Sequence, residues 1–308
     1  MKIQSVIRVS IILAISLVIF NNCKPKSKEV NAISKQNSNF VQISTPSYEL
    51  VERFNGIHFE KFDSTITDEN RFNYNNNIYK VNTTLFYTYE YYSKTGKQLL
   101  FEDQNNGQWT LTDVENESRN TILGISLKVL PGVSNVIKDY DETIAHEKYI
   151  KNDRSKCEDQ LISGLIENEM NVWLHPFRQY LFSILETSPF PYVKAPIEIG
   201  NKWKWSLLIG AGWFPKEFKN IPASIENMFD YEITDTLTLC TKLGKIKCFK
   251  IEGVATNSIG KSYLTSYFNS RYGFVKLEYM NLDRSRIVLN LEQYSTEIPC
   301  NFNYFTKK

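Results

Sequence analysis

The sequence predicts a mainly β fold with a helical insertion in the middle of the chain. Three observations lead to this prediction. Apolar and aromatic residues alternate with polar ones over long stretches, as between Tyr79 and Tyr91, where the odd positions form one apolar row. Turns that contain glycine separate these stretches at short intervals. Tyr and Phe are abundant, with 18 and 19 residues, and aromatic residues favour strands.

The alternating stretches predict about ten or eleven strands, most of them paired antiparallel with their chain neighbours. The N-terminal group lies at 78–92, 97–103, 108–114 and around 121–130. The C-terminal group lies at 203–210, 231–241, 246–256, 262–269, 274–281 and 286–294. No internal repeat of fixed length accompanies them.

The segment between these groups, about 134–187, is predicted to be helical. Ser134 and Asp139 are residue types that cap helices, and a stripe of Cys157, Leu161, Ile162, Leu165 and Ile166 has helical spacing. A third helix is expected from Phe177 to Leu185. It would end before Pro189 and Pro191, because residues that precede proline avoid the helical conformation.

The first 23 residues have the layout of a bacterial export signal. Lys2 and Arg8 precede an apolar run at 9–20, and Cys23 follows two asparagines. The run is shorter than the roughly 20 apolar residues that span a bilayer. This segment resembles a lipoprotein signal peptide, except that Phe20 and Asn22 replace the usual Leu and the usual small residue. We expect lipidation at Cys23; ordinary cleavage nearby and an uncleaved anchor are the alternatives.

These features predict the domain organisation. Residues 1–22 form the signal peptide, and residues 23–46 form the lipidated cysteine with a polar tether rich in Lys, Ser and Asn. The β-rich domain covers 47–298, either as one body or as two halves, 47–188 and 189–298. A tail at 299–308 completes the chain. We therefore expect a protein of the cell envelope, attached by lipid to a membrane at the outer membrane or a periplasmic face.

The charge balance argues against a nucleic-acid partner. Without residues 1–22 the chain has 34 Lys and Arg against 34 Asp and Glu, and no basic stripe is visible. The 42% of apolar residues is enough to build a large core.

Two cysteines suggest a disulfide. Cys240 and Cys248 lie symmetrically about Gly244, so a hairpin with a three-residue loop would place them opposite each other. The alternative is that both are small apolar residues of a packed hairpin face. Neither interpretation implies catalysis, because CxxC spacing is absent.

No motif in the sequence indicates an enzyme, a metal site or a cofactor. The three histidines, His58, His146 and His175, have neither HExxH nor paired Cys/His spacing. The segment around His175 and Arg178 is unusual in composition and is the only candidate for a hydrolase site, although a role in positioning the connector is the simpler interpretation.

Aromatic side chains are the remaining candidates for a binding site. Trp203 and Trp205 share one face of a strand, Trp213 follows a glycine-containing break, and Tyr267 and Phe274 lie on neighbouring strands. If these side chains line a concave face, they form a surface for an acyl chain or another apolar ligand. The alternative is ordinary core packing.

Three segments in this region carry a resemblance: GNKWKW at 200–205, TKLGKIKCFKI at 241–251 and YFNSRYGFVKLE at 267–278. Their order is similar to that of a large, uncharacterised family of exported bacterial β proteins, over about 189–294. The resemblance implies a curved, largely antiparallel, half-barrel-like sheet, distantly similar to the Lol-type lipoprotein carriers, whose concave face takes acyl chains. It implies no reaction and supplies no functional residues.

We therefore expect a membrane-anchored, non-enzymatic envelope lipoprotein that binds an apolar ligand or a protein partner. The first alternative is a structural or surface-interaction lipoprotein whose core is filled by its own side chains. The second alternative is a hydrolase that uses the His175 region.

Overall fold

The structure is a computed structural model, and it describes residues 50–53, 57–60, 76–130, 143–153, 157–167, 170–210 and 224–295. The export signal, Cys23, the tether, Trp213 and the C-terminal tail lie outside these residues.

The described residues form sixteen strands and two short 3-10 helices. The strands are β1 (Leu50–Arg53), β2 (Ile57–Glu60), β3 (Thr84–Tyr92), β4 (Gln98–Asp103), β5 (Trp109–Asp113), β6 (Ile122–Val129), β7 (Thr143–Lys151), β8 (Cys157–Glu167), β9 (Asn171–Leu174), β10 (Tyr192–Lys194), β11 (Lys202–Gly210), β12 (Ser224–Thr241), β13 (Gly244–Thr256), β14 (Lys261–Asn269), β15 (Gly273–Met280) and β16 (Arg286–Ser295). The 3-10 helices are Val114–Asn116 and Tyr180–Thr187.

All ten strands that the alternating pattern predicts are confirmed. The predicted fold class is also confirmed, because fourteen strands belong to one large, antiparallel sheet. Its order is β10-β9-β8-β7-β6-β3-β16-β15-β14-β13-β12-β11, and the β4–β5 hairpin extends from β3. The early and late parts of the chain meet where β3 pairs with β16, with Tyr89 opposite Leu289. The small β1–β2 hairpin is separate.

The central region differs from its prediction, and this difference raises the strand count above ten or eleven. Ile144 and Tyr149 lie on β7, and the stripe from Cys157 to Ile166 lies on β8. A spacing of four residues repeats on one face of a strand as well as on one face of a helix, so the stripe did not distinguish the two. The third predicted helix is present only as the 3-10 helix Tyr180–Thr187, which ends before Pro189. Ser134 and Asp139 lie outside the described residues.

The sheet is nearly closed, because its two end strands approach each other. Tyr192 on β10 contacts Trp203 on β11, with ring centroids 5.6 Å apart. Asn201 donates a side-chain hydrogen bond to the Lys194 carbonyl at 2.9 Å. Every residue of β9 and β10 is buried, so both faces of this edge hairpin are covered.

The core occupies the concave side of the sheet, which we call the inner face. Register places Ile125, Tyr87 and Leu291 side by side on β6, β3 and β16, and all three are buried. The opposite side, the outer face, carries most of the charged residues, including the exposed pair Lys204 and Asp230. Burial of the apolar row on one face fixes the register, because a slip by one residue would expose it.

Candidate functional site

The concave side of the sheet is occupied by the chain itself. Residues 175–191, which we call the interior segment, connect β9 with β10 and lie against the inner face. The Thr187 carbonyl accepts hydrogen bonds from Asn227 at 3.2 Å and from Ser262 at 2.9 Å, on β12 and β14. The Tyr231 hydroxyl donates to the Phe190 carbonyl at 3.0 Å. These bonds provide donors for backbone carbonyl groups that have no partner in the sheet ladder. A segment without regular strand pairing can be buried only when its polar backbone groups have such partners.

Two phenylalanines of the interior segment fill the aromatic parts of the inner face. Phe182 is fully buried, and its ring contacts Tyr89, Phe101, Trp109 and Tyr149. Phe190 is 1% exposed, and its ring contacts Trp173, His175, Trp205 and Phe229. These two side chains of the interior segment therefore belong to the protein core.

Trp203 and Trp205 lie on the inner face, where the sequence predicted them, but the chain covers them. Trp203 stacks on Tyr231 with ring centroids 5.3 Å apart, and Tyr192 packs against its edge. Trp205 stacks on Phe229 at 5.0 Å. Phe274 is fully buried. In this conformation these aromatic residues are core residues.

Tyr267 was predicted to share the aromatic concave face, and that placement is wrong. It lies on the outer face, where its hydroxyl donates to Glu278 at 2.9 Å and Lys276 lies 5.6 Å from its ring centroid. The strand β14 alternates in the expected way, and its inward positions are Leu264, Ser266 and Phe268.

The predicted disulfide between Cys240 and Cys248 is also wrong. The turn contains two residues, Lys242 and Leu243, and Thr241 pairs directly with Gly244. Cys240 is therefore opposite Lys245, and Cys248 is opposite Leu237. Cys240 is exposed and Cys248 is buried, and no disulfide joins them. Gly244 has a φ of 106°, which an L residue rarely adopts and which permits the shorter turn.

His175 lies in the interior segment beside a carboxyl group. Its Nε2 is 3.7 Å from Oε2 of Glu186, and its Nδ1 is 2.9 Å from the Pro176 carbonyl oxygen. A carbonyl oxygen only accepts, so Nδ1 has the hydrogen and the lone pair of Nε2 points toward Glu186. Burial, and then the nearby Arg178 charge, lower the pKa of His175 to about 4.

A second carboxyl group faces this pair from β7. Glu147 accepts a hydrogen bond from the Tyr149 hydroxyl at 3.0 Å. Burial raises the pKa of Glu147 to about 7, although the hydroxyls of Ser163 and Tyr149 and the Arg178 charge offset part of the effect. Burial raises the pKa of Glu186 to about 8; Arg178 lowers it and Glu147 raises it further.

In this acid cluster (Glu147, His175, Arg178, Glu186) the two carboxyl groups and the imidazole are buried, whereas Arg178 is half-buried. Glu147 is fully buried, Glu186 is 2% exposed and His175 is 8% exposed. The distance of 3.7 Å between Nε2 of His175 and Oε2 of Glu186 is too long for a hydrogen bond, and Oε2 has no hydrogen-bond partner among the described residues. Both side chains are buried, so a substrate has little access to either group. The geometry therefore supports a structural role for His175 better than a hydrolase.

Sequence reasoning missed the two carboxyl groups of the acid cluster. Glu147 belongs to the inward row with Ala145 and Tyr149, so a strand prediction for β7 would have placed it in the core. Glu186 had no comparable signal, because the path of the interior segment depends on tertiary contacts.

A cleft of about 360 Å³ lies between the β12–β13 turn and strands β15 and β16. Lys242 reaches across it to Glu292, with 2.7 Å between Nζ and Oε2, and Lys276 also lines it. The walls are mixed, because these charged side chains lie beside apolar ones such as Leu239 and Val275, whereas a site for an acyl chain needs a mainly apolar lining.

The described residues contain no group of three or more His, Cys, Asp or Glu residues arranged to hold a metal ion. None of the helices in the described ranges has the length and hydropathy that a transmembrane span requires.

No family model matches the chain, and no curated protein matches it. Among solved structures, a candidate exported protein with a YmcC-like fold from Bacteroides fragilis NCTC 9343 is similar at 12% identity and a TM-score of 0.42, over 71% of this chain and 97% of that chain.

Two lipoprotein structures show similarity of the same kind. A candidate lipoprotein from Parabacteroides distasonis ATCC 8503 has 11% identity and a TM-score of 0.39, over 71% of this chain and 97% of its own. The hypothetical lipoprotein YmcC from Escherichia coli K12 has 10% identity and a TM-score of 0.30, over 68% of this chain and 83% of its own. Similarities this distant carry no functional argument, and the Lol-type resemblance remains a prediction.

Proposed function

We propose that this chain is an exported lipoprotein of the bacterial cell envelope that is attached through Cys23 and acts by binding at its outer surface. The proposed anchor rests on the basic start, the short apolar run and the cysteine at residues 1–23. The proposed mode of action rests on one observation: the interior segment occupies the concave side on which an apolar ligand would otherwise bind.

An apolar ligand inside the sheet would have to displace the interior segment. Displacement would break the hydrogen bonds to Thr187 and Phe190 and would expose Phe182 and Phe190. Each fully buried phenylalanine contributes about 1.5–3 kcal/mol of transfer free energy, so the displaced state would be costly. A role at the outer surface requires no such rearrangement.

The test of this proposal has two independent readouts on the full chain, produced in a bacterial host. Mass spectrometry of the N-terminal peptide should show a diacylglyceryl group on Cys23, and the Cys23→Ala variant should lose it and leave the membrane fraction. Native mass spectrometry of the extracted protein should show the folded domain without bound lipid. An unmodified Cys23 would refute the anchor, and a stoichiometric lipid held in the folded domain would refute the outer-surface mode of action.

A further inference from the structure

One end of the outer face carries a cluster of large apolar side chains in contact with solvent. Met228 is 52% exposed, Tyr263 is 47% exposed, and Ile259 and Met280 are each 39% exposed. We call these four residues the rim patch. They lie on β12, β14, β15 and the turn between β13 and β14.

Strand register makes the rim patch continuous. Tyr263 on β14 is directly opposite Met280 on β15 and, on its other side, opposite Val254 on β13. Residues directly opposite each other on one face have Cβ atoms about 5 Å apart, and diagonal neighbours are about 7–8 Å apart. Met228 pairs with Thr256 and is therefore a diagonal neighbour of Val254. The apolar surface thus crosses four adjacent strands.

Cationic side chains border the rim patch. Lys261 begins β14, and Arg284 and Arg286 follow Met280 around the next turn; all three are exposed. The Arg286 guanidinium lies over the Tyr92 ring at 5.5 Å. Two acids also lie at this end: the exposed Asp283 accepts hydrogen bonds from Ser285, and Glu278, two residues before Met280 on β15, pairs with Lys276 at 2.6 Å.

Two more acids lie on β12 beside Met228. Glu226 and Asp230 are both exposed, and Asp230 pairs with Lys204 at 2.7 Å. The balance around the rim patch is therefore cationic on the β14–β16 side and mixed on the β12 side.

We propose that the rim patch rests on the lipid surface to which the chain is anchored, with Met228, Tyr263 and Met280 at the level of the headgroups. An aromatic ring with a polar tip, flexible apolar side chains and bordering cations are the combination that favours the membrane interface. This inference rests on the proposed lipid anchor.

The position of the anchor favours a membrane over other partners. Residues 24–49, 26 residues in all, separate Cys23 from the first described strand. If Cys23 is acylated, the bilayer has a higher local concentration around the domain than any partner that is free in solution.

Photo-crosslinking in proteoliposomes tests the inference with the full, lipidated chain. Benzoylphenylalanine replaces Met228 or Met280 in two variants, and replaces Ile162 or Ile199 in two controls. The control residues are 56% and 57% exposed and lie outside the rim patch. In vesicles of phosphatidylethanolamine and phosphatidylglycerol, lipid adducts at the rim positions should exceed those at the control positions by about fivefold or more.

A charge variant tests the cationic border. Lys261→Glu combined with Arg284→Glu should lower the adduct yield at Met280 in these vesicles, because both changes repel anionic headgroups. Equal lipid yields at all four positions would overturn the inference, and so would predominant crosslinks between protein chains at the rim positions. Acylation of Cys23 is measured on the same samples, so a chain that is acylated but shows equal yields disproves the rim inference and leaves the anchor intact.

Discussion

The Tyr231 hydroxyl donates a hydrogen bond to the backbone carbonyl of Phe190 at 3.0 Å, and the bond links β12 to the interior segment. Tyr231 is 3% exposed and Phe190 is 1% exposed, so the bond is shielded from water. Because it joins residues 41 positions apart, it helps hold the sheet and the interior segment together as one cooperative unit.

Tyr231→Phe should destabilise the domain by about 1–2 kcal/mol, because the buried Phe190 carbonyl loses its donor. Tyr279→Phe is the matched control: its hydroxyl is also buried, and it has no hydrogen-bond partner among the described residues. Removing that hydroxyl should be neutral or stabilising. Urea unfolding of both variants measures the difference, and equal losses of stability would contradict the role of the Phe190 bond.

Gly253→Ala should also destabilise the domain, by about 1–3 kcal/mol, because an added methyl group overfills the contact between sheet and interior segment. Its Cβ would lie 2.9 Å from the Tyr231 ring and 3.0 Å from Pro189. The control is Gly210→Ala on β11, where no atom of the described residues lies within 4 Å of the new methyl group. Thermal unfolding should show a lower Tm for the first variant and an unchanged Tm for the second.

The acid cluster predicts a pH-dependent stability. Burial raises the pKa of Glu186 to about 8 and that of Glu147 to about 7, so between about pH 4.5 and pH 8 the folded state binds more protons than the unfolded state. Stability from these groups is fully present at low pH and is lost as the pH rises. His175 has the opposite sign, because its lowered pKa adds stability as the pH rises from about 4 to about 6.5.

Because two carboxyl groups outweigh one imidazole, the net stability falls from about pH 4.5 to pH 8. Between about pH 6.5 and pH 8 the fall comes from the carboxyl groups alone, and Glu186→Gln should remove about 2 kcal/mol of that part. Glutamine keeps the size of the side chain and remains neutral across this range. Urea midpoints at the two pH values measure the effect in the parent and the variant. Glu252→Gln, on an exposed carboxylate, is the control and should leave the fall unchanged. An equal fall in the parent and in Glu186→Gln would disprove this assignment.

Much of the sheet could be predicted from sequence, because a half-buried strand repeats its apolar residues with a period of two. Ten predicted strands are present for that reason. β7 and β8 were predicted as helices because their spacings of three, four and five residues also fit a helix, and the even spacing of Cys157, Leu161 and Leu165 satisfies both periods. Local pattern alone could not separate the two structures there.

The aromatic candidates show the limit of predicting a site from strand patterns. Alternation correctly placed Trp203 and Trp205 on one face, but it gives no information about what covers that face. The covering residues are Phe190 at the end of the interior segment and Tyr192 at the start of β10. The path of this proline-containing stretch depends on long-range contacts. The Cys240–Cys248 pairing failed for a related reason: the length and position of the turn set the register of a hairpin. The observed turn is one residue shorter and lies earlier in the chain than predicted, so the partner of Cys240 is Lys245, three residues before Cys248.

A buried ion pair supports a further prediction about the β4–β5 hairpin. Lys151 on β7 pairs with Asp103 on β4, and their side chains are only 4% and 7% exposed. Lys151→Met should destabilise the domain by about 3–5 kcal/mol, because it leaves the Asp103 carboxylate buried without its cation. The double variant Asp103→Asn with Lys151→Met should lose less than the single variant, since Asn keeps an acceptor for the Asn105 amide and no charge remains buried.

The exposed pair Lys204 and Asp230 is the control for this ion-pair prediction. Its side chains are 84% and 54% exposed, so Lys204→Met should change stability by about 1 kcal/mol or less. Urea unfolding of the three variants separates the two environments. The prediction fails if the double variant is as unstable as Lys151→Met, because the cost would then come from lost packing of the lysine chain and not from a stranded charge. It also fails if Lys151→Met loses as little stability as Lys204→Met. That result would mean that water solvates the Asp103 carboxylate in the variant.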